Sequence, residues 1–150
     1  MKVVIQRVSE AKVTINEKVK SCIKNGLLVL LGIGHDDDEK DSEWLIKKII
    51  NLRIFNDEDG VMNKSIMDVD GDVIVVSQFT LHAKTKKGNR PSYIDAAKPE
   101  VSIPIYEHFV LRMEEVLGKK VQTGEFGASM QVSLINDGPV TITMDTKDKQ

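Results

Sequence analysis

Residues 72–92 read DVIVVSQFTLHAKTKKGNRPS. The stretch opens with Val73-Ile74-Val75-Val76, apolar at every position, the pattern of a strand covered on both faces. It then changes to two hydroxyls and an amide, Ser77, Gln78 and Thr80, with Phe79 and Leu81 interleaved. An ideal strand sends Ser77 and Thr80 to opposite faces, so both serve one site only if the strand ends or bends near Phe79. A basic loop follows, with Lys84, Lys86, Lys87, Gly88 and Arg90, closed by Pro91. A core strand that delivers polar groups at its end, beside a cationic loop, suits an anionic ligand. A solvated loop with no ligand fits the same composition.

Upstream, residues 2–8 and 11–16 read as strands, with Val13 and Ile15 alternating with polar neighbours. Asn16-Glu17-Lys18 is a turn, and residues 18–24 read as the return arm of a hairpin. Asn25-Gly26 is a further turn signal. Leu27 to Ile33 is a continuous apolar run ending at Gly34, as in a buried strand. A helix is predicted from Ser42 to Leu52, with Leu45, Ile49 and Leu52 as its apolar stripe and Trp44 at the edge. The preceding His35-Asp36-Asp37-Asp38-Glu39 is not a metal cluster. Its acids are consecutive, no ligand recurs at metal spacing, and acids favour a helix N-terminus. Phe55–Gly60 is a polar turn without EF-hand spacing.

Downstream, Pro99 and Pro104 mark the approach to a second helix. Tyr106, Phe109, Met113 and Val116 fall on one of its faces, and Gly118 closes it. Val121-Gln122-Thr123 is a short strand. Met130 to Ile135 and Val140 to Met144 are two more, joined by a turn at Asn136-Asp137-Gly138-Pro139. The tail Lys147–Gln150 reads as frayed. Many strands and two helices, without βαβ alternation, repeat or linker, give one α+β domain over residues 1–150. Its expected form is mainly antiparallel sheet in a barrel-like core with two helices packed on it.

The bulk properties agree. A chain of 150 residues, 41% hydrophobic and 29% charged, is that of a soluble globular domain. A net charge of −2 excludes a protein that coats nucleic acid electrostatically, but not one with a local basic grip. The lone Cys22 cannot form an internal disulfide. It reads as a small strand hydrophobe and fits a reducing, intracellular setting. Arg7 interrupts the N-terminus before any signal-peptide core forms, and no apolar run approaches the ~20 residues of a membrane helix.

For chemistry, Ser77 or Thr80 could be a nucleophile if a histidine served as base. His35 lies in the acidic loop, His108 lies between apolar helix positions, and His82 follows Thr80 by two residues. No Gly-x-Ser-x-Gly elbow is present. The sequence thus offers hydroxyls, an amide and backbone donors without an evident base.

Two motifs carry a resemblance. Ser77-Gln78-Phe79-Thr80-Leu81 with Lys87-Gly88-Asn89-Arg90-Pro91-Ser92 resembles the first signature of the D-aminoacyl-tRNA deacylases. Asn136-Asp137-Gly138-Pro139-Val140-Thr141 resembles the second, and the opening MKVVIQRVSEAKVTI with Arg7 is also similar. The resemblance covers essentially the whole chain. It implies a cytoplasmic homodimer that needs no metal or cofactor. Such an enzyme hydrolyses D-aminoacyl-tRNA, and glycyl-tRNA mischarged on a non-cognate tRNA. The 2′-hydroxyl of the 3′-terminal adenosine assists, and L-aminoacyl groups are excluded. Ser77, Gln78, Phe79 and Thr80 would be catalytic, with the Phe79 and Thr80 N–H groups as oxyanion donors. Gly138 and Pro139, joined by a cis bond, would enter the partner subunit's pocket, braced by Arg7, and Met130 would line the pocket. Without the resemblance these residues read as a turn, an exposed strand arginine and a core methionine, and Thr80 as a strand hydroxyl. A conventional Ser/Thr esterase and a non-catalytic RNA-binding module remain the alternatives.

Overall fold

A computed structural model describes residues 1–149; the last residue of the predicted frayed tail, Gln150, lies outside the described residues. Strand β1 spans Lys2–Ile15. Asn16 and Glu17, both at positive φ, reverse the chain into β2, Lys18–Ile23. The chain then continues into β3, Gly26–Gly32, along the same edge of β1. Asn25-Gly26 is therefore a kink in a long arm and not a hairpin turn. Gly26 is needed there because a Cβ would collide with the backbone of Asp72 on the neighbouring strand.

Helix α1, Glu39–Asn51, starts three residues earlier than the apolar stripe alone predicts. Asp38 is its cap. It accepts from the Lys40 and Asp41 N–H groups, while Asp41 accepts from the Asp38 N–H, a reciprocal capping box. A small hairpin of β4 (Phe55–Asn56) and β5 (Met62–Lys64) follows. Strand β6, Asp72–Ser77, then lies parallel to β3, with Leu27 opposite Val73 and Leu31 opposite Ser77.

Helix α2, Pro99–Leu117, has Pro99 at its first turn and Pro104 inside it. The sequence marks both prolines as the approach to this helix, and the helix includes them. Pro99 costs nothing at a position whose N–H has no intrahelical partner, and Pro104 deletes only one bond. Gly118, in the left-handed conformation at φ 69, stops the helix. The buried stripe is Tyr106, Phe109 and Met113; Val116 is 36% exposed and outside it. Strand β7, Gln122–Thr123, is parallel to β6.

The α+β class with two helices stands, and so does the antiparallel pairing of β1 with all its partners. The sheet is nevertheless mixed. β6 is parallel to both neighbours, each parallel pair being joined through a helix, so two βαβ crossovers exist that the element tally did not reveal. This is why Val73–Val76 of β6 is apolar at every position. Val73 and Val75 pack with Leu27, Val29, Leu31 and the helices, while Ile74 and Val76 pack with Val8, Val13, Ile23 and Leu28 on the other side. The curled sheet nearly closes where Ser21 Oγ on β2 donates to the Thr123 carbonyl on β7 at 2.5 Å.

Strand β8, Gln131–Asp145, runs along the free edge of β1. Gln6 faces Thr141, but Val8 faces Asn136, so β8 advances five residues while β1 advances two. Residues 137–140 are extruded from the ladder as a bulge. The predicted turn is thus a bulge in a strand that keeps its direction. Cys22 is exposed on β2 and does not pack as a hydrophobe. In the tail, Lys147 is tied down by the Asp36 carbonyl and the Asp41 carboxylate at 2.9 and 2.8 Å. Among the described residues, no helix is long and apolar enough to cross a membrane.

Candidate functional site

The site begins where β6 stops. The Gln78 N–H donates to the Leu31 carbonyl at 2.7 Å, the last rung beside β3. Gln78 then leaves the strand conformation at φ −141 and ψ 81, and a short 3-10 turn, Phe79–His82, begins. This is the bend that bringing Ser77 and Thr80 together requires. Like the first donors of any helical turn, the Phe79 and Thr80 N–H groups have no carbonyl partner among the described residues. Gln78 Nε2 donates to Thr80 Oγ1 at 2.5 Å, which occupies a lone pair of the hydroxyl and leaves its proton free for another acceptor.

Ser77, Gln78 and Phe79 line a cleft of ≈ 530 Å³ together with Phe126, Met130 and Val132. Pro99 and Ser102, at the start of α2, also line it. Tyr106 locks α2 to β6: its hydroxyl donates to the Val75 carbonyl at 2.9 Å, and burial pushes its pKa up to about 12. A larger cleft of ≈ 620 Å³ lies elsewhere, beside Trp44, Lys48 and Met144, and contains none of Ser77, Gln78 or Thr80.

No histidine is placed as a base. His35 Nε2 contacts the Ile94 carbonyl at 2.8 Å, His108 faces Glu43 at 3.8 Å, and His82 is buried against Gly32 and Gly34. Among the described residues, no histidine hydrogen-bonds Ser77 or Thr80, and no group of three His, Cys, Asp or Glu side chains could hold a metal ion.

The second motif forms its own unit. The Gly138–Pro139 bond is cis, and Asp137, Gly138 and Pro139 are exposed at the tip of the β8 bulge. The bulge is fixed at its base. Asn136 Oδ1 accepts from the Val140 N–H and Asn136 Nδ2 donates to Thr141 Oγ1, both at 2.9 Å. Arg7 is not an exposed strand arginine but is only 6% exposed. Its Nε donates to the Asp137 carbonyl at 2.9 Å, and its Nη1 donates to the Ile54 carbonyl at 2.6 Å. Within one chain, Ser77, Gln78, Phe79 and Met130 share the cleft lining, with Thr80 bonded to Gln78. Gly138, Pro139 and Arg7 are outside that lining. Sequence reasoning missed the clamping role of Asn136 and the place of Phe126 in the cleft. Only the first carried a signal, an Asn beside a turn sequence.

Comparison with known proteins converges on one family. Residues 4–145 match the family described as D-Tyr-tRNA(Tyr) deacylase. Proteins named D-aminoacyl-tRNA deacylase from Bacteroides fragilis (strain YCH46) and Flavobacterium psychrophilum (strain ATCC 49511 / DSM 21280 / CIP 103535 / JIP02/86) are each 63% identical over 150 residues, covering 100% of both chains. The solved structure of a c-Myc DNA Unwinding Element Binding Protein superposes with a TM-score of 0.93 at 41% identity, covering 97% of this chain and 99% of that one. A probable eukaryotic D-amino acid tRNA deacylase shares the fold, with a TM-score of 0.81 at 16% identity over 95% of this chain and 97% of the other. Identity at this level over the full length of both chains, with both motifs present, means that this chain belongs to the D-Tyr-tRNA(Tyr) deacylase family.

Proposed function

We propose that this protein hydrolyses the ester bond of D-aminoacyl-tRNA, releasing free D-amino acid and tRNA. The observation that carries the reading is the cleft edge itself. Two free main-chain donors at Phe79 and Thr80 and an oriented Thr80 hydroxyl stand together without a protein base. Such a site polarises a carbonyl and holds it, but does not generate a nucleophile. An aminoacyl-tRNA supplies what is missing. Its ester is already activated, and the 2′-hydroxyl of the terminal adenosine lies beside the scissile bond. Water adds to the carbonyl, and the oxygen that becomes negative is held by the Phe79 and Thr80 N–H groups. The 2′-hydroxyl relays a proton, and the C–O bond to the ribose breaks.

Selectivity is assigned to a second copy of the chain. The exposed, clamped Gly138-Pro139 tip is suited to entering a neighbouring cleft. There its carbonyls would hold the substrate α-amino group and its main chain would leave no room for an L side chain. The working unit is therefore a homodimer with a cross-subunit site, and Met130 lines the aminoacyl pocket. A pocket that selects by exclusion also accepts glycine, so glycyl-tRNA mischarged on a non-cognate tRNA is a further substrate. A cytoplasmic location follows from that of the substrate.

The test is turnover of D-tyrosyl-tRNA charged at the 3′ position, with either adenosine or 2′-deoxyadenosine at the terminus. Release of tyrosine from the first and a very poor rate on the second is expected, with both still bound. Binding without release would leave a non-catalytic RNA-binding module, and a trapped acyl-enzyme would favour the conventional esterase.

A further inference from the structure

We infer that the loop from Lys84 to Ser92 grips the backbone phosphates of the single-stranded RNA nucleotides that precede the aminoacylated terminus, through Lys86, Lys87 and Arg90. The inference rests on the deacylase reading and adds to it the residues that hold the polynucleotide.

The loop is built as an arch closed at its base. Lys84 and Ser92 exchange both backbone hydrogen bonds across its base, at 2.8 and 3.0 Å. Its near end leaves the 3-10 turn that carries Phe79 and Thr80. Its far end is fastened to the same turn, because Tyr93 meets Phe79 edge-on with ring centroids 5.1 Å apart. Phe79 lines the cleft, so the arch stands at the cleft mouth.

The cations of the arch divide into two kinds. Lys84 is structural, since its ammonium is neutralised by Asp95 at 2.6 Å. Lys86, Lys87 and Arg90 are exposed and make no ion pair or hydrogen bond among the described residues. Of the arginines, Arg7, Arg53 and Arg112 are tied to carbonyls or carboxylates, and only Arg90 lacks such a partner among the described residues. In a chain of net charge −2, three cations without an ion pair among the described residues on one short arch form a local positive field. A phosphodiester backbone is the chemistry that field attracts. A guanidinium and two ammonium groups suit a track of several phosphates better than one compact anion.

The experiment compares two substrates that share the ester: D-tyrosyl-tRNA, and D-tyrosyl-adenosine, which has no phosphate. The variant K86A/K87A/R90A is measured beside the wild type, with anisotropy of labelled uncharged tRNA as a function of salt. The ratio of kcat/KM for tRNA over adenosine ester should fall at least about tenfold, through KM rather than kcat. Three contacts to a single strand should flatten the salt slope of log K by about 2. Arg90→Lys should recover part of the loss. An unchanged ratio with an unchanged salt slope overturns the proposal, as does an equal loss on both substrates. If the wild type hydrolyses neither ester, the deacylase reading fails instead, and the tRNA salt slope still decides whether these residues grip RNA.

Discussion

Arg7 Nε and the main-chain carbonyl of Asp137 are 2.9 Å apart, which joins the first strand of the chain to the residue immediately before Gly138. The same guanidinium holds the Ile54 carbonyl, so one buried side chain fixes the bulge against the body of the domain. Charge-assisted bonds of this kind contribute about 1.5–3 kcal/mol each. Arg7→Ala should lower stability by roughly 3 kcal/mol in urea unfolding with an unchanged m value. Arg7→Lys should cost less, because an ammonium can reach one carbonyl but not present the fork. Both variants should lose D-aminoacyl-tRNA hydrolysis at temperatures where they remain folded. Full activity of Arg7→Ala would remove the bulge from the account.

Gly138 sits at φ 133, a region that L residues rarely adopt, and a Cβ there would lie 2.8 Å from Val140 Cγ2 and 3.0 Å from Arg7 Nη2. Gly138→Ala must therefore displace the clamp or the tip. A loss of at least about tenfold in kcat/KM on a D substrate is expected.

Thr80 is oriented by Gln78 and has no base beside it. Thr80→Ser keeps the hydroxyl and should keep substantial activity. Thr80→Val removes it and should cost about 10- to 100-fold. Mass spectrometry of the enzyme quenched during turnover should find no aminoacyl adduct. An adduct on Thr80 would replace the positioning role with covalent catalysis.

Asp41 gives a pH signature unrelated to the reaction. Partial burial opposes its ionisation. Hydrogen bonds from the Lys147 and Thr146 side chains and the Asp38 N–H outweigh that effect and lower its pKa from 3.8 to about 2. Because the folded value is the lower one, the stabilisation is fully present above the unfolded value. It is lost as pH falls through the folded value. After solvent screening it amounts to roughly 1–2 kcal/mol. Wild type should exceed Asp41→Asn by that margin near neutrality, and the two should converge towards about pH 2 in denaturant titrations.

Much of this architecture was legible from the residues. The change from Val76 to Ser77 marked the end of a buried strand, and the periodicity of Leu45, Ile49, Tyr106, Phe109 and Met113 placed both helices. Other features depend on contacts distant in sequence. A continuous apolar run such as Leu27–Ile33 suits any doubly covered strand, and only its pairing with β6 makes it parallel. Asn25-Gly26 has turn chemistry, but its glycine serves a close approach to Asp72. Pro104 has breaker chemistry, but it falls in a helix whose other contacts outweigh one missing bond. The Asn136–Pro139 segment has turn composition, and nothing local distinguishes reversal from a bulge, because β1 sets the direction on both sides. For Arg7, burial arises from the carbonyls of Asp137 and Ile54, at sequence distances that no local pattern reaches.

The central claim, chiral hydrolysis by a site that positions but does not attack, is tested most directly by deacylation of D-tyrosyl-tRNA and L-tyrosyl-tRNA side by side with the purified wild-type protein. The account predicts rapid release of D-tyrosine and a rate on the L substrate indistinguishable from that without protein. Comparable rates on both, or release of neither, would contradict it.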